Sequence, residues 1–160
     1  MVVIGSEGCG KTSILRRFAG DTFYEYKKNP DTCTFSTMMY FEVHNHTIEV
    51  YTNITELLMI KCNTTLQSAN GYILVYEYGN EESFKYMWDK MIELKKRRKE
   101  NVIILCNKFD QYNTWDSPKI NGGLDTSIVL DYRHYFISAK TNRNIAKAFS
   151  DLAQKIISGF

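Results

Sequence analysis

No stretch of 18 apolar residues occurs in this 160-residue chain, so the sequence offers no membrane-spanning helix. There is no internal repeat and no low-complexity tract, which excludes solenoid and fibrous architectures. The four cysteines, Cys9, Cys33, Cys62 and Cys106, show no paired spacing and no Cys-x-x-Cys. A disulfide framework is thereby disfavoured, and free thiols in a reducing compartment are expected. The three histidines, His44, His46 and His134, are too scattered for a metal site. Asn-x-Thr triplets at Asn45, Asn53 and Asn63 would be glycosylation acceptors in a secreted chain, but nothing else in the sequence suggests secretion. An excess of charge is missing too: 20 Lys and Arg against 18 Asp and Glu leave a net +2, too balanced to argue for nucleic acid. The most consequential gap is internal. Between Thr32 and Asn70 there is neither an aspartate nor a glycine. With 44% hydrophobic residues, the chain is expected to form one domain over residues 1–160, with room for a full core.

Three short motifs carry chemistry. Gly5-Ser6-Glu7-Gly8-Cys9-Gly10-Lys11-Thr12 fits G-x-x-x-x-G-K-[ST] in full. It follows the apolar run Val2-Val3-Ile4, which reads as a short buried strand. It precedes Ser13 to Phe18, where Ile14, Leu15 and Phe18 share one helical face. Strand, glycine loop and helix form the context in which backbone N–H groups cradle phosphate oxygens, aided by the positive end of the helix. Lys11 is expected to reach the β- and γ-phosphates, and the Thr12 hydroxyl to ligate Mg²⁺. Glu7, Gly8, Cys9, Gly10, Lys11, Thr12 and Ser13 form the expected phosphate-binding set.

The second motif, Asn107-Lys108-Phe109-Asp110, ends another buried run, Val102 to Cys106. The Asp110 carboxylate can accept from the N1–H and 2-amino group of guanine, a donor pair that adenine does not present. The Lys108 stem can lie along a purine ring, and Asn107 can tie this loop to the phosphate loop. The third motif, Ser138-Ala139-Lys140, follows Tyr135-Phe136-Ile137 and in isolation is an ordinary helix start. Placed third in this order, it is where a backbone N–H would meet the guanine O6.

On these residues the chain resembles the Ras superfamily of small GTPases over nearly its whole length. Gly71 to Glu77, followed by Asn80-Glu81-Glu82-Ser83-Phe84, is similar to the Rab and Ras branches at their fourth strand and the helix after it. The resemblance implies an α/β phosphate-loop fold: a six-stranded, mostly parallel sheet with one antiparallel strand, flanked by about five helices. It also implies GTP or GDP bound at the carboxyl ends of the strands, with Mg²⁺, and protein effectors or regulators as partners. A cytoplasmic location, peripheral on vesicle membranes in some relatives, goes with it. The first strand begins at Met1, and no C-terminal cysteine for prenylation is present. The expectation is a trimmed domain or part of a longer chain, reaching membranes only through further sequence or partners.

The family holds the γ-phosphate with two loops. Asn29-Pro30-Asp31-Thr32 resembles the first, with Thr32 as the Mg²⁺ ligand and Thr34 as a competing register. The second normally reads D-x-x-G-Q: an acid near the metal, a glycine N–H on the γ-phosphate and a glutamine placing water. Counting on from Thr32 puts Ile54, Leu57 and Leu58 at those positions, and a gapped count gives Tyr51, Ile54 and Thr55. Thr55 and Glu56 are the weak substitutes for a catalytic residue. Glu7 stands third in the phosphate loop, where the family carries glycine or a small residue. A carboxylate about 4 Å from a phosphate charge is unfavourable by roughly 4 kcal/mol at an effective dielectric near 20. Glu7 is therefore read in four ways: swung away into water, standing near the metal, blocking an arginine finger, or merely exposed.

Strands are expected near Val2–Gly5, Thr37–Val43, Thr47–Thr52, Gly71–Tyr76, Val102–Asn107 and Tyr135–Ile137, with helices after Lys11, Asn80 and Thr141. His44-Asn45-His46 reads as a hairpin turn, Glu56–Gln67 as a possible greasy helix, and Gln111–Leu130 as loop-rich. Lys95-Lys96-Arg97-Arg98-Lys99 closes the helix after Asn80 and is a solvated helix end or a docking patch for acidic lipid or a partner. The leading functional expectation is a guanine-nucleotide-binding regulatory domain with very slow hydrolysis and weak need for Mg²⁺. A conventional switch using Glu56 or Glu7 in unorthodox roles is the alternative. A small phosphate-loop ATPase or kinase comes third, because it has no use for a guanine selector.

Overall fold

The structure is a computed structural model. It describes residues 1–18, 28–29, 32–43, 46–57, 67–111 and 132–159, with the backbone alone described for residues 28–57. Strands β1 (Val2–Gly5), β5 (Tyr72–Glu77) and β6 (Val102–Asn107) are almost wholly buried. Continuous apolar runs behave this way in a parallel sheet covered on both faces. Because successive side chains point to opposite faces, these strands feed two separate cores. Val3, Ile73, Val75, Ile103 and Leu105 join one cluster with helix α1 (Lys11–Phe18) and helix α3 (Ile145–Ser158). Val2, Ile4, Leu74, Ile104 and Cys106 join the other, with helix α2 (Glu81–Lys96).

The helices follow their apolar spacing. Phe84, Met87, Trp88, Met91 and Leu94 of α2 are buried, while Ile92 is only partly covered. In α3 the buried set is Ile145, Ala148, Phe149, Leu152 and Ala153. Phe149 stacks on Phe18 of α1, ring centroids 4.1 Å apart, which locks the two helices on that face together.

The sheet has seven strands in the order β2-β3-β4-β1-β5-β6-β7, adding β2 (Lys28–Asn29), β3 (Thr32–Val43), β4 (His46–Leu57) and β7 (Arg133–Phe136). Among the described residues, this adds to the six expected strands the two-residue β2, whose pairing with β3 no hydrophobic pattern announces. Among the described strands only β3 runs against the rest: it is antiparallel to both neighbours, while β4, β1, β5, β6 and β7 pair in parallel. The chain passes to opposite sides of β1 for its earlier and later strands, so the strand order reverses there and opens a crevice at the carboxyl edge.

β3 and β4 are each 12 residues long and pair from Thr32↔Leu57 to Val43↔His46. Both exceed the expected spans, and Glu56 and Leu57, read as a possible helix start, belong to β4. Threonine and isoleucine at 52, 54 and 55 sustain the ladder. Residues 58–66, 112–131, the His44-Asn45 turn and Asn29-Pro30-Asp31 past Asn29 lie outside the described residues, and with them most of the helix read over Glu56–Gln67 and most of the loop-rich stretch Gln111–Leu130.

Candidate functional site

Three loops meet at the carboxyl ends of β1, β6 and β7. The loop after β1 turns on Gly8 (φ +77°) and Gly10 (φ +94°), conformations that favour glycine. A Cβ on Gly10 would collide with the Asn107 side-chain amide, so the loop is pressed against β6. Lys11 is buried and donates from Nζ to the Gly5 and Ser6 carbonyls, at 3.0 and 2.8 Å. Its charge therefore lies inside the curl of the loop. Cys9 is fully buried, Thr12 is half-buried and Ser13 is exposed, while Glu7 stands exposed on the outer turn. The Ser6 hydroxyl donates to Ser83 Oγ of α2 at 2.9 Å, and the same Oγ accepts the Glu77 N–H at 3.0 Å.

Asn107, at the end of β6, joins all three loops. It is 2% exposed, donates from Nδ2 to the Cys9 carbonyl at 3.0 Å, and accepts the Ala139 N–H on Oδ1 at 3.1 Å. Next to it, Lys108 has φ +63° and pairs with Glu77 at 2.8 Å. Asp110 is exposed and accepts from the Ser138 hydroxyl at 2.6 Å. That bond holds its carboxyl below the ordinary aspartate range, with Lys140 adding to the effect, so Asp110 is an ionised acceptor. A carboxylate has about four lone-pair sites, and the bond to Ser138 leaves acceptor capacity for a ligand. Ser138 is fully buried, and its Oγ also accepts the Thr141 N–H at 3.1 Å.

Between these loops lies a cleft of about 430 Å³, of the size that holds small organic ligands. Gly10, Ser13, Arg16 and Arg17 form one wall; Asn107, Lys108, Asp110, Gln111, Ala139 and Lys140 form the other.

The fold order, the glycine loop and this three-way junction meet a sequence comparison that agrees with them. The model of the Ras family matches residues 1–158. The chain belongs to the Ras family. Among similar proteins, Ras-related protein Rab-12 of Mus musculus is 28% identical over 98% of this chain and 66% of its own length. Ras-related protein Rab-3B of Bos taurus is 29% identical, and Ras-related protein RABE1e of Arabidopsis thaliana 27%, each over 98% of this chain and 73% of the relative. The chain thus spans a little under two thirds of the length of Rab-12.

Within this Ras-family frame, the register of β4 decides where the expected γ-phosphate residues fall. β4 pairs with β1 through Val2↔Thr55 and Val3↔Glu56. Thr55 therefore lies about 10 Å of strand before the level of Gly5, and Glu56 about 7 Å before it. Continuing the register one step sets Leu57 level with Ile4. Ile54 and Tyr51, which simple counting offered as aspartate equivalents, sit still further back, opposite Phe35 and Met38. The position nearest the phosphate loop is the strand end, Leu57, followed by Leu58, Met59 and Ile60 outside the described residues. Thr32 heads β3, opposite Leu57 and Asn29; Thr34 is opposite Thr55.

The residues present fit a guanine nucleotide: the loop leaves no space for a Cβ at Gly5 or Gly10, and an ionised carboxylate stands at the cleft's far rim. For Mg²⁺ the fit is thinner. Thr12 lies in the first turn of α1, and no group of three or more His, Cys, Asp or Glu able to hold a metal occurs among the described residues. Sequence reasoning missed two contributors. The sequence motifs assigned no role of their own to Arg17 or Ser83. Their partners are 122 and 77 residues away, at Ala139 and Ser6, beyond any local pattern.

Proposed function

We propose that this domain binds GTP and GDP as a Rab-like regulatory protein and hydrolyses GTP very slowly. The observation that carries the binding half is the Asn107 side chain, which couples the phosphate loop to the third loop while Ser138 holds Asp110 as an ionised acceptor. In this reading the loop from Glu7 to Ser13 wraps the phosphates, Lys11 neutralises them, and Asp110 selects guanine over adenine. Lys108 lies along the base, with Ser138, Ala139 and Lys140 closing the O6 side.

The slow half is supported by composition and register together. Catalysis of phosphoryl transfer is positioning plus charge stabilisation. The end of β4 nearest the phosphate loop is a leucine rather than an acid, and no glycine follows before Gly71. Loss of one donor aimed at developing charge costs about 10²–10³-fold in rate. Thr12, with Thr32 or Thr34, would hold Mg²⁺, which when bound neutralises charge between the β- and γ-phosphates. With no aspartate to anchor its water shell, the metal matters less than in relatives. Protein regulators or effectors are the partners this reading requires, in a reducing cytoplasmic setting consistent with Cys9 and Cys106 being buried and outside any disulfide.

Single-turnover assays beside Rab-3B, with and without Mg²⁺, test the proposal. GDP or GTP should co-purify, hydrolysis should be at least about 100-fold slower than for Rab-3B, and affinity should change little on chelation. Asp110→Asn should turn base preference toward xanthine. Turnover at the Rab-3B rate would refute the slow half, and unchanged GTP affinity in Asp110→Asn the guanine half.

A further inference from the structure

We infer that Arg17 is a positioning residue for base recognition: it fixes the peptide plane between Ala139 and Lys140 and so presents the Lys140 amide to the base. The inference rests on the guanine reading above and deepens it. Arg17 Nε donates to the Ala139 carbonyl at 2.9 Å, and Nη2 to the Lys140 carbonyl at 3.3 Å. This two-pronged grip crosses from α1 to the third loop, both of which wall the cleft.

The hydrogen-bond inventory of the loop shows what the grip controls. The Ser138 N–H goes to the Arg143 carbonyl at 3.3 Å. The Ala139 N–H goes to Asn107 Oδ1 at 3.1 Å, and the Thr141 N–H to Ser138 Oγ at 3.1 Å. Of these four successive amides, only that of Lys140 has no partner among the described residues. A ligand acceptor at the loop therefore finds the Lys140 N–H uncommitted, beside the Ala139 amide that Asn107 holds.

No peptide bond among the described residues is cis. In a trans peptide the C=O and N–H point in opposite directions. Holding the Ala139 carbonyl toward α1 therefore turns the Lys140 N–H away from the guanidinium. Without the grip, that plane is free to rotate and the donor loses its aim. A purely structural role for Arg17 is the weaker reading, because α1 is docked independently by Ile14 and Leu15 in the core and by the Phe18–Phe149 stack at 4.1 Å.

The test measures equilibrium affinities of the whole chain for GDP, 6-thio-GDP and IDP, in wild type, Arg17→Ala and Arg17→Lys. 6-Thio-GDP keeps N1–H and the 2-amino group but replaces O6 by the poorer acceptor sulfur; IDP lacks only the 2-amino group that faces Asp110. In Arg17→Ala the preference for GDP over 6-thio-GDP should fall about tenfold, the weight of one well-aimed hydrogen bond, while the preference for GDP over IDP stays. Arg17→Lys, which keeps one cationic nitrogen but not the two-nitrogen fork, should recover part of the loss and serves as the folded variant if the alanine form melts. Equal weakening toward all three nucleotides, or no change in either variant, overturns the Arg17 assignment. A wild-type protein that does not prefer GDP over ADP would instead remove the guanine reading, and the inference with it.

Discussion

Asn107 shows how much of this site depends on one side chain. Its amide supplies a donor to Cys9 and an acceptor to Ala139, and both partners are buried. Truncation strands a carbonyl and an N–H without water, each costing about 1–3 kcal/mol. Asn107→Ala should therefore destabilise the domain by about 3 kcal/mol and weaken nucleotide binding at least tenfold. Urea unfolding and nucleotide titration read these separately; a stability loss below about 1 kcal/mol would mean that the loops hold together by other means. Asp110, by contrast, is exposed, and its carboxylate is kept ionised by Ser138 rather than by burial. Changing it should alter base choice far more than stability.

Among the elements, α2 links the two ends of the sheet. At its start, Asn80 Oδ1 caps the helix by accepting the Ser83 N–H at 3.0 Å, and the Ser83 hydroxyl meets Ser6 of the phosphate loop. Asn80→Ala should cost about 1 kcal/mol, and Asn80→Asp should restore it, by thermal or chemical unfolding. Equal stability of all three forms would show that the β5–α2 turn is held without the cap. At the other end, the helix stops where Arg98 takes φ +55°. Part of the basic run is tied down there: Arg97 pairs with Glu93 at 2.8 Å, and Lys99 donates to the Gln67 carbonyl and lies over the Tyr72 ring. Exposed pairs of this kind contribute about 0–1 kcal/mol, so the run does more to end the helix in water than to hold the fold.

Across the whole molecule, the pH response follows from what the sheet covers. His134 on β7 is partly buried beside Tyr76, whose hydroxyl is 3.2 Å from Nε2, and burial lowers its pKa to about 4. The unfolded chain, with an ordinary histidine near 6.5, binds the proton more readily. Stability should therefore fall as pH drops from about 6.5 to 4, by up to about 3 kcal/mol. Below that range the carboxylates of Asp110, Asp151 and Glu93, all depressed by hydrogen bonds, take over the loss. His134→Phe should flatten the stability profile between pH 6.5 and 4. A variant that keeps the full slope would place the responsible group elsewhere.

The fold class, the three loop motifs and the faces of the helices were legible in the chain because each rests on local chemistry. Buried runs such as Val102–Cys106 can only be covered strands, the glycine spacing admits one kind of turn, and Phe149 with its neighbours repeats at the helical period. The missing aspartate and glycine were legible for the same reason, since no partner elsewhere can change a composition. Pairing decided the rest. The slide of β4 along β1 set Glu56 opposite Val3 and so made Leu57, not Ile54, the strand end nearest the phosphate loop; a strand's register is fixed by its neighbours rather than by its own residues. Likewise, the bonds from Arg17 to Ala139 and from Ser6 to Ser83 join residues that only folding brings within reach, so their roles could be seen only once the sheet was assembled.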